Sequence, residues 1–175
     1  MTMLPKKAKQ SVTKDGERIA PRIEGILIRQ QVTQQDHRGS LTEIYSPFWG
    51  YDDIPLVFIY TVTARPGMIK GWAIHYRQID RYFFYSGSLK LVLYDARESS
   101  PTHGMINELY FSETNRSLVT VPPGIYHAVE NVGTTEALMI NFPSEPYHED
   151  PDKHTLPLEN DVIPYRFDKS SDYRH

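Results

Sequence analysis

The chain has no cysteine among its 175 residues, which removes disulfides, thiolate nucleophiles and thiolate metal ligands together. That usage suits a reducing compartment. It also has no apolar run long enough to span a bilayer, and Lys6, Lys7 and Lys9 are not followed by the apolar stretch of a secretory signal. A cytoplasmic protein with no membrane partner is the expectation. Basic excess is missing as well: 19 Lys and Arg stand against 22 Asp and Glu, for a net charge of −3. Without a positive field across its surface, the chain is not expected to bind nucleic acid. Finally, no segment after Pro21 carries the spacing of an amphipathic helix.

What is present is a succession of short segments rich in Val, Ile, Tyr and Phe, which predicts strands over 26–31, 41–45, 56–62, 69–76, 82–85, 88–95, 107–111, 117–121, 127–131 and 136–142. Turn residues separate them, among them Arg65-Pro66-Gly67, Ser86-Gly87 and Pro122-Pro123-Gly124. Short strands with regular punctuation predict an all-β sandwich or jelly roll. The length supports one domain with a real core. Residues 1–20 are polar and aperiodic and read as a flexible leader, 21–168 as the single domain, and 169–175 as a flexible tail.

Two segments carry histidines suited to chemistry. In Gly71-Trp72-Ala73-Ile74-His75-Tyr76, period-two alternation puts small Ala73 and His75 on one face. In Pro122-Pro123-Gly124-Ile125-Tyr126-His127, a turn sets the second histidine at the start of another strand. Each alone reads as an imidazole filling a β interior; two in facing hairpins point to one pocket. With Asp80 they form a two-histidine, one-carboxylate set that can hold a divalent metal. Without metal, a histidine in a partly dry cavity is a natural general base. It can take a proton from carbon only beside a carbonyl, so the implied substrate is a keto compound. A cation must then steady the enolate, and Lys70 and Arg81 flank the His75 strand. Both also read as ordinary charges at strand ends. Asp36-His37-Arg38-Gly39 with Glu43 reads as a polar hairpin tip, and Arg97 as a loop charge.

The pattern Pro122-x-Gly124-x-x-His127-x-x-x-Asn131, facing the His75 segment and its Ser86-Gly87 turn, resembles the cupin-type double-stranded β-helix barrel. The ordered set Asp36-x-Arg38-Gly39 with Glu43, Lys70-Gly71…His75, Asp95-x-Arg97-x-Ser99-Ser100-Pro101-Thr102-x-Gly104 and Pro122-x-Gly124-x-x-His127 resembles dTDP-4-dehydrorhamnose 3,5-epimerase. The resemblance implies a homodimer acting without metal or other cofactor on a dTDP-linked 4-keto-6-deoxy sugar. It implies His75 as base; Asp80 and Asp36 are the candidates in this chain to orient it. Arg38, Glu43, Lys70, Arg81, Arg97 and His127 are then the substrate-binding candidates.

Departures from that family are specific. Its acid tyrosine falls in a stretch that here reads Ala137-Leu138-Met139-Ile140-Asn141, with no tyrosine; Tyr147, a few residues on, matches either an aromatic that stacks on the base or an acid recruited in its place. Its C-terminal aspartate, which orients the histidine, has no evident match. From Gly71 through Ser88 the spacing instead runs without a gap against the dTDP-sugar 3,4-ketoisomerases, whose Gly-Gly-His-Ala-His has Ala73 in place of its first histidine. The primary expectation is a 3(,5)-epimerase or 3,4-ketoisomerase of deoxysugar biosynthesis. Its rivals are a dioxygenase-like cupin using His75, Asp80 and His127 on a metal, and a sugar-nucleotide-binding cupin without turnover.

Overall fold

The computed structural model describes residues 10–16, 19–147 and 152–167. In chain order its strands are β1 (Leu27–Gln30), β2 (Thr33–Asp36), β3 (Gly39–Thr42), β4 (Tyr60–Ala64), β5 (Ile69–Ile74), β6 (Asp80–Ser86), β7 (Leu89–Asp95), β8 (Ile106–Phe111), β9 (Ser117–Val121), β10 (Ile125–Asn131), β11 (Ala137–Asn141) and β12 (His154–Thr155). One short 3-10 turn, Pro47–Trp49, is the helical element among the described residues. Two five-stranded sheets form the body, ordered β1-β9-β6-β11-β4 and β12-β5-β10-β7-β8, while β2 and β3 pair only with each other. The pairings are antiparallel, as expected of a jelly roll. Among the described residues, no helix is long and apolar enough to cross a membrane.

Alternation assigns each strand's two faces. On β6, Tyr82 and Phe84 join the main core between the sheets, with Leu91, Leu93, Val119, Val121, Ile125 and Val129, whereas Phe83 joins Leu118 and Phe142 on the outer side. Each large core side chain contributes on the order of 1.5–3 kcal/mol by leaving water. Beyond the second sheet, Trp72, Val92 and Ala128 are covered by Ile163 and Phe167 of the C-terminal segment. The Trp72 and Phe167 rings lie 5.4 Å apart. Both sheets therefore carry an apolar outer face that the chain's own connections cover.

The β6–β7 turn depends on Gly87. Its φ is +79°, and a Cβ there would lie 2.5 Å from the Ala137 Cβ, so a larger residue is both strained and crowded. The strand expected over 56–62 begins only at Tyr60, because β11 ends at Asn141, the register partner of Tyr60. Residues 56–59 thus run past the end of their neighbour. The leader and tail expectations fall largely on 1–9, 17–18 and 168–175, outside the described residues.

Candidate active site

The inward positions at one end of the sandwich are polar where the rest of the core is apolar. Asp80 opens β6, Asn141 closes β11, Tyr60 opens β4, His127 lies near the start of β10, and His75 follows β5. The register sets His127 beside Ala73 and Asn141 between Tyr60 and Tyr82. Small Ala73 leaves room there for two imidazoles, whose rings stack at 5.6 Å between centroids and 16° between planes.

Asp80 is the hub. Only 1% exposed, its carboxylate accepts hydrogen bonds at 2.8 Å from the Gln78 amide, the Asn141 amide and the Tyr82 hydroxyl. Its Oδ2 also lies 3.3 Å from His75 Nε2 and 3.6 Å from His127 Nε2. Burial favours the neutral acid, but the His75 hydrogen bond and the charges of both imidazoles outweigh it, holding the carboxyl far below the ordinary range. For His75, burial opposes the cation, yet the hydrogen bond and charge of Asp80 hold it above its ordinary 6.5. His127 goes the other way, because its burial outweighs Asp80 and keeps it neutral. Of the two imidazoles, His75 is therefore the one that holds a proton more readily.

The other side of the His75 ring is fixed by the C-terminal segment. Its Nδ1 lies 2.8 Å from the Asp152 carbonyl, which makes Nδ1 the N–H donor and leaves Nε2 to titrate. The Asp152 carboxylate in turn accepts the backbone N–H groups of Tyr76, Arg77 and Gln78 at 2.9, 2.5 and 2.9 Å. β12 pairs with β5 just beyond, so this segment is stitched to the strand that carries the histidine. A C-terminal aspartate does meet the histidine, then, but through its backbone oxygen, while Asp80 supplies the carboxylate.

A cavity of about 370 Å³ opens above this hub, lined among others by Phe58, Tyr60, His75, Gln78, Tyr147 and Lys153. Among the described lining residues, Lys153 is the one Lys or Arg. His127 sits behind His75, 7% exposed. Tyr147 stands at the rim, 77% exposed. Lys70 is exposed on β5, and Glu43 is exposed just past β3; neither lines the cavity.

Three expected groups are elsewhere. Arg81 alternates with Asp80 and so points to the outer side of its sheet. There it is fully buried, bonded to the carbonyls of Phe142, Ile54 and Pro55 at 2.9, 3.0 and 2.9 Å and to Asp52 at 3.2 Å. It ties down the 52–55 segment and cannot polarise a ketone in the cavity. Arg97 forms a two-pronged pair with buried Asp95, both contacts at 2.8 Å, and also bonds the Glu24 carbonyl at 2.8 Å. Ser100 and Thr102 donate to the same carboxylate at 2.7 and 2.6 Å, which makes the most specific motif of the chain a structural knot. Arg38 sits at the tip of the β2–β3 hairpin with a side chain 79% exposed, paired to Asp36 at 2.6 Å, so Asp36 does not orient His75 within this chain.

His75, Asp80 and His127 bring ligand atoms within 4.8 Å of one another, the donor set of a two-histidine, one-carboxylate metal centre. Asp80 Oδ2, however, already takes the Tyr82 hydroxyl and faces both imidazoles, so the cluster is internally satisfied as an acid–base assembly.

A jelly roll with a buried histidine–carboxylate pair under an open cavity is the class of protein that the fold and site define. Over residues 34–154 the chain matches the polysaccharide biosynthesis C-terminal domain family. It is 32% identical over 141 residues to the probable low-salt glycan biosynthesis epimerase Agl13 of Haloferax volcanii, covering 79% of this chain and 90% of that one. To the spore coat polysaccharide biosynthesis protein SpsL of Bacillus subtilis it is 30% identical over 150 residues, covering 83% and 96%. The chain belongs to this polysaccharide biosynthesis family. Its fold is shared with a dTDP sugar isomerase from Desulfovibrio desulfuricans (24% identity, TM-score 0.73, 82% of this chain and 90% of that one). It is shared also with a dTDP-4-dehydrorhamnose 3,5-epimerase from Bacillus anthracis (19% identity, TM-score 0.74, 84% and 87%).

Proposed function

We propose that the chain is an isomerase of a nucleotide-linked 4-keto-6-deoxy sugar, of the epimerase kind, serving polysaccharide synthesis. The observation that carries this reading is the His75–Asp80 pair at the floor of a cavity that also presents Lys153. A C–H bond next to a ketone is acidic enough for an imidazole to break when the enolate oxygen is met by a cation. His75 Nε2 takes the proton, Asp80 steadies the imidazolium that forms, and the Lys153 ammonium meets the enolate oxygen. Neither epimerisation nor 3,4-keto isomerisation changes the net oxidation state of the sugar, so the chemistry calls for no redox cofactor. The printed descriptions of the two curated relatives, one an epimerase and both in glycan or polysaccharide synthesis, support the same reading.

Among the described residues the cavity of one chain offers the Lys153 ammonium and no arginine, which leaves the nucleotide diphosphate without a cation once Lys153 meets the enolate. We infer a homodimer in which the β2–β3 hairpin of one subunit brings Arg38 and Glu43 to the cavity of the other, where Arg38 binds the diphosphate by charge-assisted hydrogen bonds. The hairpin's pairing only with itself and the exposure of Arg38 support this.

Proton NMR of dTDP-4-keto-6-deoxyglucose with the protein in heavy water is the test. Deuterium at C3 establishes enolisation, and the product, inverted at C3 or C5 or carrying a 3-ketone, chooses between epimerase and ketoisomerase. No exchange at either carbon rejects this substrate class.

A further inference from the structure

Inversion at carbon requires a second proton-bearing group, placed on the face opposite the base. We propose that Tyr60 is this group, donating its hydroxyl proton to the enolate from the wall across from His75. The assignment rests on the isomerase reading above and deepens it.

The two residues line the same cavity from different sheets: His75 follows β5 in one, and Tyr60 opens β4 in the other. Hydrogen-bond accounting then fixes the direction of the phenol proton. Asn141 Oδ1 accepts the backbone N–H of Arg81 at 3.2 Å, which sets the orientation of the amide. Its nitrogen must therefore face Asp80 Oδ1 and the Tyr60 oxygen, each at 2.8 Å. Tyr60 is the acceptor in that last bond. Among the described residues its hydroxyl hydrogen has no protein acceptor, so it is free to be given to a ligand in the cavity.

The competing tyrosines lack one property each. Tyr82 is buried and already gives its proton to Asp80. Tyr147 is 77% exposed, with no hydrogen bond holding it among the described residues. Tyr60, at 39% exposure, is both anchored and open. Burial, partly offset by the Asn141 bond and reinforced by the charge of Asp80, holds its phenol above the ordinary 10.0, so it stays protonated at neutral pH. The bonds balance as follows. The C–H bond breaks toward His75 Nε2, its electron pair enters the enolate, and a new C–H bond forms on the other face with the Tyr60 proton. The resulting imidazolium and phenolate reset by exchange with water at the mouth.

The experiment compares wild type with Tyr60→Phe on dTDP-4-keto-6-deoxyglucose in heavy water. Expected is deuterium exchange at C3 or C5 persisting in the variant, with the original configuration kept, while inverted product falls by roughly 10²–10⁴-fold. Inversion at the wild-type rate overturns the assignment, as does loss of inversion in Tyr147→Phe with Tyr60→Phe unaffected. Loss of exchange together with inversion in a folded Tyr60→Phe also overturns it, since the tyrosine then serves enolisation itself. Absence of exchange in the wild type rejects the isomerase reading and this assignment together.

Discussion

His75 is held between two unlike acceptors, a neutral carbonyl at Nδ1 and a carboxylate at Nε2, and that asymmetry decides how the site responds to pH. Asp80 keeps the imidazole protonated to higher pH than an ordinary histidine, and it must lose that proton to act as a base. kcat/KM is therefore expected to rise with pH through an apparent pKa above 6.5, and His75→Gln to lower turnover by about 10²–10⁴-fold at the plateau. Stability carries the opposite sign. A histidine whose folded-state pKa is raised stabilises fully below its unfolded value and loses that contribution as pH climbs through the folded one. The stability gap between wild type and His75→Gln, measured by urea unfolding, should thus be widest below pH 6.5 and narrow above it. Arg81 is a different kind of residue. Arg81→Met removes the cation that pairs with Asp52 and the guanidinium donors to the Phe142, Ile54 and Pro55 carbonyls in a dry layer, and is expected to cost roughly 3–5 kcal/mol in unfolding experiments without changing substrate affinity of the folded protein.

At the scale of elements, alternation and turn residues located the body's strands. β9 matches its expected range residue for residue, and β7 and β8 differ by one residue at one end. Short strands that exist only by pairing were not legible. β2 is the polar run Thr-Gln-Gln-Asp, and β12 is two residues long, recognisable only once β5 is beside it. The same limit governs the site. His75, Asp80 and His127 could be found because strand periodicity sends them inward, whereas Lys153 and Asp152 arrive from a segment with no periodicity. Asn141 and Tyr60 are legible in principle, since each shares a strand face with core residues, Asn141 with Met139 and Tyr60 with Val62. Ser86-Gly87 reads as a turn in the sequence and forms the link between β6 and β7. Gly87→Ala forces positive φ on a residue with a Cβ and presses it into β11, so a loss of about 1–3 kcal/mol is expected by thermal or denaturant unfolding.

For the whole molecule, the inferred dimer makes a prediction that no single-chain account shares. If Arg38 of one subunit completes the cavity of the other, His75→Gln and Arg38→Ala are each deficient, yet a refolded mixture of the two regains activity. In the mixed dimer one of the two cavities has both an intact base and an intact arginine. A mixture no more active than its components places Arg38 outside the neighbouring site. The knot of Asp95, Arg97, Ser100 and Thr102 bears on a different question. It is the most recognisable run in the chain, yet it joins the Glu24 backbone to the β7–β8 loop and does not line the cavity. Chains gathered by that run will share a way of being built and can differ in what they do. To sort such a collection by chemistry, one would read instead the scattered quartet His75, Asp80, Asn141 and Tyr60, whose members sit far apart in sequence and spell no motif.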